Sequence, residues 1–196
     1  MAWSKQIESS RIVPFPSFHP LSPEAIEQID MIAGEGFKGI KLHPYYQDFF
    51  LDAPMMIPLY ERMASRRLIL VSHTGFDIAF PRIRKADADR IVRVMAAVPS
   101  LKLVTTHMGS WEDWDRVGAV LAGKPVYMEI SYSLGQMPDD KARDLLLKHP
   151  VDRVLFGTDS PWQDQSETIR MLKSLRLGSE RESAIFHGNA SCLLEL

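Results

Sequence analysis

The sequence predicts an α/β fold with a mainly parallel sheet, and three observations carry that reading. Short aliphatic runs return at intervals of about 25 to 33 residues, the span of one βα unit. Gly or Pro bounds most of them, as expected for strands buried on both faces. The intervals between them carry apolar residues at helical spacing, with start and stop signals at their ends.

Taken in chain order, the strand-like runs begin near Ile12, Lys38, Leu68, Leu101, Val126 and Arg153, six in all. Before the first of them, Met1 to Glu8 reads as the last turns of a helix rather than as a signal peptide. The run from Ile12 to Phe18 ends at His19-Pro20, where His19 is expected to serve loop structure. Ser22-Pro23-Glu24 then supplies an N-cap, a first-turn proline and an early acid for a helix that Gly34 and Gly36 stop. Pro54 to Ser65 carries Met55, Met56, Leu59, Tyr60 and Met63 near helical spacing, and Asp87 to Val98 aligns Ile91, Val94, Met95 and Val98 before Pro99. Trp111 and Trp114 are expected to pack a helix. Pro138-Asp139-Asp140 starts a helix that turns Leu145, Leu146 and Leu147 to the sheet and closes on Lys148-His149 before Pro150. There His149, like His187 near another helix end, is expected to cap or to be solvated. Ser179 to Glu182 has the pattern of a capping box.

Composition narrows the function classes. Of the residues 45% are hydrophobic and 24% charged, and 23 basic side chains against 25 acidic ones leave a formal net charge of -2. Such a balance offers no electrostatic attraction for nucleic acid or an anionic membrane. No apolar run approaches the roughly 20 residues that span a bilayer. Cys192 is alone, so no intrachain disulfide forms and the expected setting is the reducing cytoplasm. Nothing divides residues 1–196 into parts, and one domain acting on a small molecule is expected.

Four of the runs stop at a metal-capable residue and turn at once. They are Gly39 to His43-Pro44, Leu68 to His73-Thr74-Gly75, Leu101 to His107-Met108-Gly109 and Val154 to Asp159-Ser160-Pro161. Ligands in α/β folds gather where parallel strands end, so these residues are placed to converge. Taken singly, a strand-end histidine is by default a hydrogen-bonded structural residue; the case rests on the set. A closed (β/α)8 barrel needs about 250 residues. The 196 here fall short by roughly two units.

The runs Gly36-Phe37-Lys38-Gly39-Ile40-Lys41-Leu42-His43-Pro44, Val71-Ser72-His73-Thr74-Gly75, Thr106-His107-Met108-Gly109 and Leu155-Phe156-Gly157-Thr158-Asp159-Ser160-Pro161-Trp162, with Gly188-Asn189-Ala190, point to a family. Together they resemble the amidohydrolase-related branch of the amidohydrolase superfamily, metal-dependent hydrolases and decarboxylases on a TIM barrel. The match follows that family's strands three to eight. It implies an incomplete barrel with six parallel strands, in which His73 binds metal, Asp159 binds metal and handles a proton, and His107 lies beside the substrate or binds a second metal. Lys41 falls where binuclear members carry a carboxylated lysine. Lys41 and His43 share a strand face, and Trp162 stands next to Asp159 as a substrate wall or a cover.

The family's first-strand His-x-His pair is absent from this sequence, in step with the length deficit. With three protein ligands usual for catalytic zinc, the ion is expected to bind weakly or not at all unless His107, His43 or a partner completes the shell. The expected activity is hydrolysis of a small carboxylated or cyclic substrate through metal-activated water. Decarboxylation by the same centre is the alternative, and a silent barrel fragment acting as a binding or assembly module is the third reading. Two missing strands leave open sheet edges, which predicts a homo-oligomer or a covering partner.

Overall fold

The computed structural model describes residues 4–7, 9 and 11–196. Of the expected N-terminal helix end, Met1 to Trp3 and Glu8 lie outside the described residues, and Ser4–Gln6 forms a single 3-10 turn.

Five strands form one parallel sheet in chain order: β1 (Gly39–Leu42), β2 (Ile69–Ser72), β3 (Lys102–Thr105), β4 (Tyr127–Glu129) and β5 (Val154–Leu155). Each is followed by a helix: α2 (Ile57–Ser65) after β1, α3 (Ala88–Ala97) after β2, α4 (Trp114–Val120) after β3, α5 (Asp139–Lys148) after β4 and α6 (Gln165–Ser174) after β5. Ahead of them stands α1 (Ala25–Gly34). Behind them α7 (Ser179–Ser183) passes through a π-helical turn into α8 (Asn189–Leu194). An unbroken chain-order sheet with a helix after each strand is the winding of a barrel wall.

The expected sixth strand, Ile12 to Phe18, is not one. Its Pro16 carbonyl accepts the Lys41 N–H at 3.0 Å, so the segment does lie along β1. Pro14 and Pro16 have no N–H to return, and a ladder cannot continue past them. Three smaller expectations also change. Leu145 and Leu146 are buried but Leu147 is half exposed, since three consecutive helical residues cannot share one face. The α7 start has no side-chain cap; Glu182 instead accepts the Leu177 N–H at 3.2 Å. His149 is buried rather than solvated, with its Nε2 2.8 Å from the Val126 carbonyl and its Nδ1 accepting the Gly123 N–H.

Register decides what each face does. Leu42, Ser72, Thr105, Met128 and Val154 pair across all five strands. On this parity Ile40, Leu42, Leu70, Leu103, Met128 and Val154 join the helices in the main apolar core, with Ile29, Met63, Ile91, Val117, Leu146 and Leu172. The other parity faces inward. One inward row runs Lys41, Val71, Val104, Tyr127 and the next includes Glu129 and Leu155. The same face carries an apolar cluster in which Ile69, Val104 and Leu155 pack on Leu193 of α8.

Candidate functional site

The inward parity continues past the assigned strand ends. His73 N–H donates to the Leu42 carbonyl at 3.1 Å and Thr106 N–H to the Ser72 carbonyl at 3.2 Å, so the ladder runs one step beyond β2 and β3. His43 and His73 therefore sit on the same level as Glu129, one row above Lys41. The ends are locked together: Thr74 N–H donates to Thr106 Oγ1 at 3.1 Å, and Thr74 Oγ1 donates to the Thr106 carbonyl at 2.7 Å. Gly75 has φ 93°, and a Cβ there would lie 1.9 Å from the Trp111 nitrogen, so only glycine lets the β2 loop pass so close.

These ends surround a cavity of about 390 Å³. Lys41, His43, His73, His107, Asp159 and Trp162, the six site residues expected from sequence, all line it. Trp162 stands at the mouth, 75% exposed. Asp159 and Trp162 reach the rim through a sharp turn in which Asp159 has φ 57°. Aromatic side chains complete the wall: Tyr46, Phe76, Trp111 and Tyr132. Trp111 packs against the main core as well as lining the cavity, and Trp114 is buried in α4 with its Nε1 donating to the His107 carbonyl at 3.0 Å.

Three residues form a tighter group. One ligand atom each from His43, His73 and Asp77 lies within 4.8 Å of the other two. The two imidazoles stack with centroids 4.2 Å apart. Asp77 Oδ2 is 3.3 Å from His43 Nε2 and 3.8 Å from His73 Nε2. Asp159 is not a member of that set. Burial, aided by Lys41 and His107, pushes the His43 pKa down to about 4 against the pull of Asp77. For His73 burial, followed by His107, His43 and Lys41, pushes it down to about 2. Both rings are thus neutral near pH 7 and offer lone pairs, the form in which imidazole binds metal.

His107 is held from both sides. Its Nε2 is 3.2 Å from His73 Nδ1, its Nδ1 is 3.0 Å from the Ser131 carbonyl, and its backbone N–H donates to Glu129 Oε1 at 2.9 Å. Glu129 is clamped in turn by Ser131, whose N–H and Oγ donate to it at 2.8 and 2.6 Å. Gly157 makes room, since a Cβ there would lie 2.0 Å from Glu129 Oε2. Burial pulls the Lys41 pKa down, opposed by Glu129 and Asp159.

The donor set tests whether a cation fits. His73 Nε2 lies 3.1 Å from the Phe76 carbonyl and 3.8 Å from Asp77 Oδ2, and His43 Nε2 lies 3.3 Å from the same carboxylate oxygen. Two imidazole nitrogens and a carboxylate suit a divalent ion such as zinc or manganese.

Asp77 and Glu129 were not among the residues the sequence pointed to. Glu129 had a signal: a carboxylate interrupting the apolar run Val126 to Ile130 at inward parity. Asp77 had only its place four residues after His73, in a loop without periodicity.

The amidohydrolase family model matches residues 1–196. This chain belongs to the amidohydrolase family. A search of curated proteins found no match. Among solved structures, an uncharacterized TIM-barrel protein from Bordetella bronchiseptica is 25% identical with a TM-score of 0.82, over 93% of this chain and 66% of its own. A 5-carboxyvanillate decarboxylase from Novosphingobium aromaticivorans, with bound manganese, is 17% identical with a TM-score of 0.73, over 94% and 65%. A 2,6-dihydroxybenzoate decarboxylase from Rhizobium is 16% identical with a TM-score of 0.69, over 92% and 70%. The amidohydrolase chain thus spans just under two thirds of the first of these, and the expected incomplete TIM barrel agrees with all three. Among the described residues no helix is long and apolar enough to cross a membrane.

Proposed function

We propose that this amidohydrolase chain carries the site of a metal-dependent decarboxylase acting on a small aromatic carboxylate. The observation that carries the proposal is one strand-end cavity joining a His-His-Asp group to a buried lysine and aromatic walls. Solved relatives named as decarboxylases of hydroxylated benzoates support it over hydrolysis, the first expectation. Hydrolysis is the second reading, kept because a His107–Asp159 pair on one cavity also suits proton transfer to and from water.

A planar ring enters between Trp162, Tyr132 and Trp111, and Lys41 pairs with the substrate carboxylate. A divalent ion, when bound, supplies Lewis-acid polarisation of the substrate's oxygens. Asp159 takes up a proton from solvent and delivers it to the ring carbon. The bond from that carbon to the carboxylate then breaks, its electron pair returns to the ring and CO₂ leaves. His107, held by Ser131 and Glu129, hydrogen-bonds the oxyanion that develops on the substrate. Exposed Cys192 is consistent with a reducing cytoplasm. Open edges at β1 and β5 belong to the same proposal: a second copy or partner covers them, and a stable monomer in light scattering would count against it.

The test is to incubate the manganese-loaded chain with a panel of hydroxybenzoates and measure CO₂ release. Release that disappears in Asp159→Asn supports the proposal. Ester or amide cleavage without CO₂ would favour hydrolysis, and metal binding without any turnover the binding module.

A further inference from the structure

A second cavity lies at the opposite end of the sheet. It has a volume of about 280 Å³ and opens between the end of α3 and the starts of β3 and β4. Helix length accounts for it: α4 has seven residues against ten in α3, nearly a turn less, so the helix layer stops short there. Val94, Val98, Leu103 and Val126, all buried, form its floor, with Met95 beside them. Three polar side chains at the strand starts close one end: Lys102, Tyr127 and Arg153.

We propose that this cleft binds a small apolar monocarboxylate, with the carboxylate on Arg153 and Lys102 and the hydrocarbon body on the valines and Met95. It stands apart from the metal-dependent reading of the strand-end cavity.

Arg153 is the decisive group. Its guanidinium lies over the Tyr127 ring, 4.5 Å from the centroid, and its side chain is 32% exposed. That stack fixes the plane of the fork and leaves its edge free. The nearest acid, Asp152, is 3.3 Å from Nε, and among the described residues no acceptor takes a hydrogen bond from the guanidinium. Arg62, Arg90, Arg116 and Arg181, by contrast, each donate at least one. Lys102 Nζ meets one acid, Glu195 Oε1 at 3.3 Å. Asp152 and Glu195 are 68% and 70% exposed, so both are solvent-screened partners that an incoming carboxylate can displace.

A carboxylate on the guanidinium edge forms the two-point, charge-assisted contact that a planar fork favours. The floor then selects what the carboxylate is attached to, since hydrocarbon gains by burial there and inorganic phosphate does not. Pockets for drug-sized ligands begin at about 300 Å³, so this one suits a single ring or a short chain.

The test titrates the full chain, carrying ¹³C-methyl methionine, with hexanoate, acetate and inorganic phosphate. Hexanoate is expected to shift the Met95 methyl resonance, to show NOEs to it, and to bind at least about tenfold more tightly than acetate, because each buried methylene contributes about fourfold. Arg153→Gln is expected to weaken hexanoate by about tenfold or more, the loss of a hydrogen bond to a charged group. Lys41→Met, which alters the strand-end cavity instead, should leave the Met95 shift in place. Urea unfolding of Arg153→Gln controls for folding, and the NOEs in the parent chain need no variant. Acetate or phosphate binding as tightly as hexanoate, a Met95 methyl that does not move, or a shift lost in Lys41→Met and kept in Arg153→Gln, overturns the proposal and leaves the reading of the strand-end cavity as it stands.

Discussion

The two ends of the same five strands do different work. Against α8, Ile69, Val104 and Leu155 pack on Leu193, and ahead of β4 His149 is sealed against the Val126 carbonyl. At their finishes, the same inward parity carries Lys41, His43, His73 and Glu129, with Asp159 beyond β5. Apolar contact stabilises one end. The other concentrates buried polar groups that cost desolvation and are tolerated because nearly every one has a partner. Stability and chemistry are thus separable along the strand axis, and substitutions can show it.

The largest effect is expected in the helix-facing core. Leu70 is fully buried in β2, and Leu70→Ala should cost about 2–5 kcal/mol in urea unfolding while the folded fraction binds Mn²⁺ as before. Parallel losses in both would break the separation. Next comes Gly157→Ala at the polar end, where the new methyl displaces Glu129. A cost of about 1–3 kcal/mol is expected. Because Glu129 holds the His107 N–H, substrate turnover should fall with it; unchanged turnover would remove Glu129 from the account.

The closed end should also set a pH limit. Burial lowers the His149 pKa in the folded chain, against an unfolded value near 6.5. The unfolded state therefore takes up the proton first. The stabilisation is fully present above about pH 6.5 and is lost as pH falls below it toward the depressed folded value. Unfolding free energies measured across that window should slope less in His149→Gln; an unchanged slope would contradict the sealed environment. Asp87 accepts the Asp89 and Arg90 N–H groups at the start of α3, and Asp87→Ala should cost about 1 kcal/mol. The smallest change is expected at Lys41, where Lys41→Met removes a desolvated amine. Stability should stay within about 1 kcal/mol and, if anything, rise, while affinity for an aromatic carboxylate drops.

Much of this was legible in the residues. Caps and breakers placed α3 and α5 to within a residue, because Asp87 and Pro99 act locally. The expected Ser22 cap is not formed: α1 begins at Ala25 behind Glu24 with no side-chain cap, and α2 begins at Ile57 after a 3-10 turn from Pro54. Strand parity put Lys41 and His43 on one face, and the run ends brought His73, His107 and Asp159 to one cavity. What failed depended on partners far away in the chain. Ile12 to Phe18 has an apolar pattern, and only the need for N–H donors toward β1 shows why Pro14 and Pro16 deny it a strand. Asp77 gains its meaning from the His43 ring, 34 residues earlier and on another strand, a proximity no local pattern encodes.

The most direct test is an anomalous difference map from crystals grown with Mn²⁺. The account predicts one strong peak at the finishing end of the sheet, inside the cavity that His43, His73, Asp77 and Asp159 line. No peak in that cavity, or a peak only elsewhere on the chain, would contradict it.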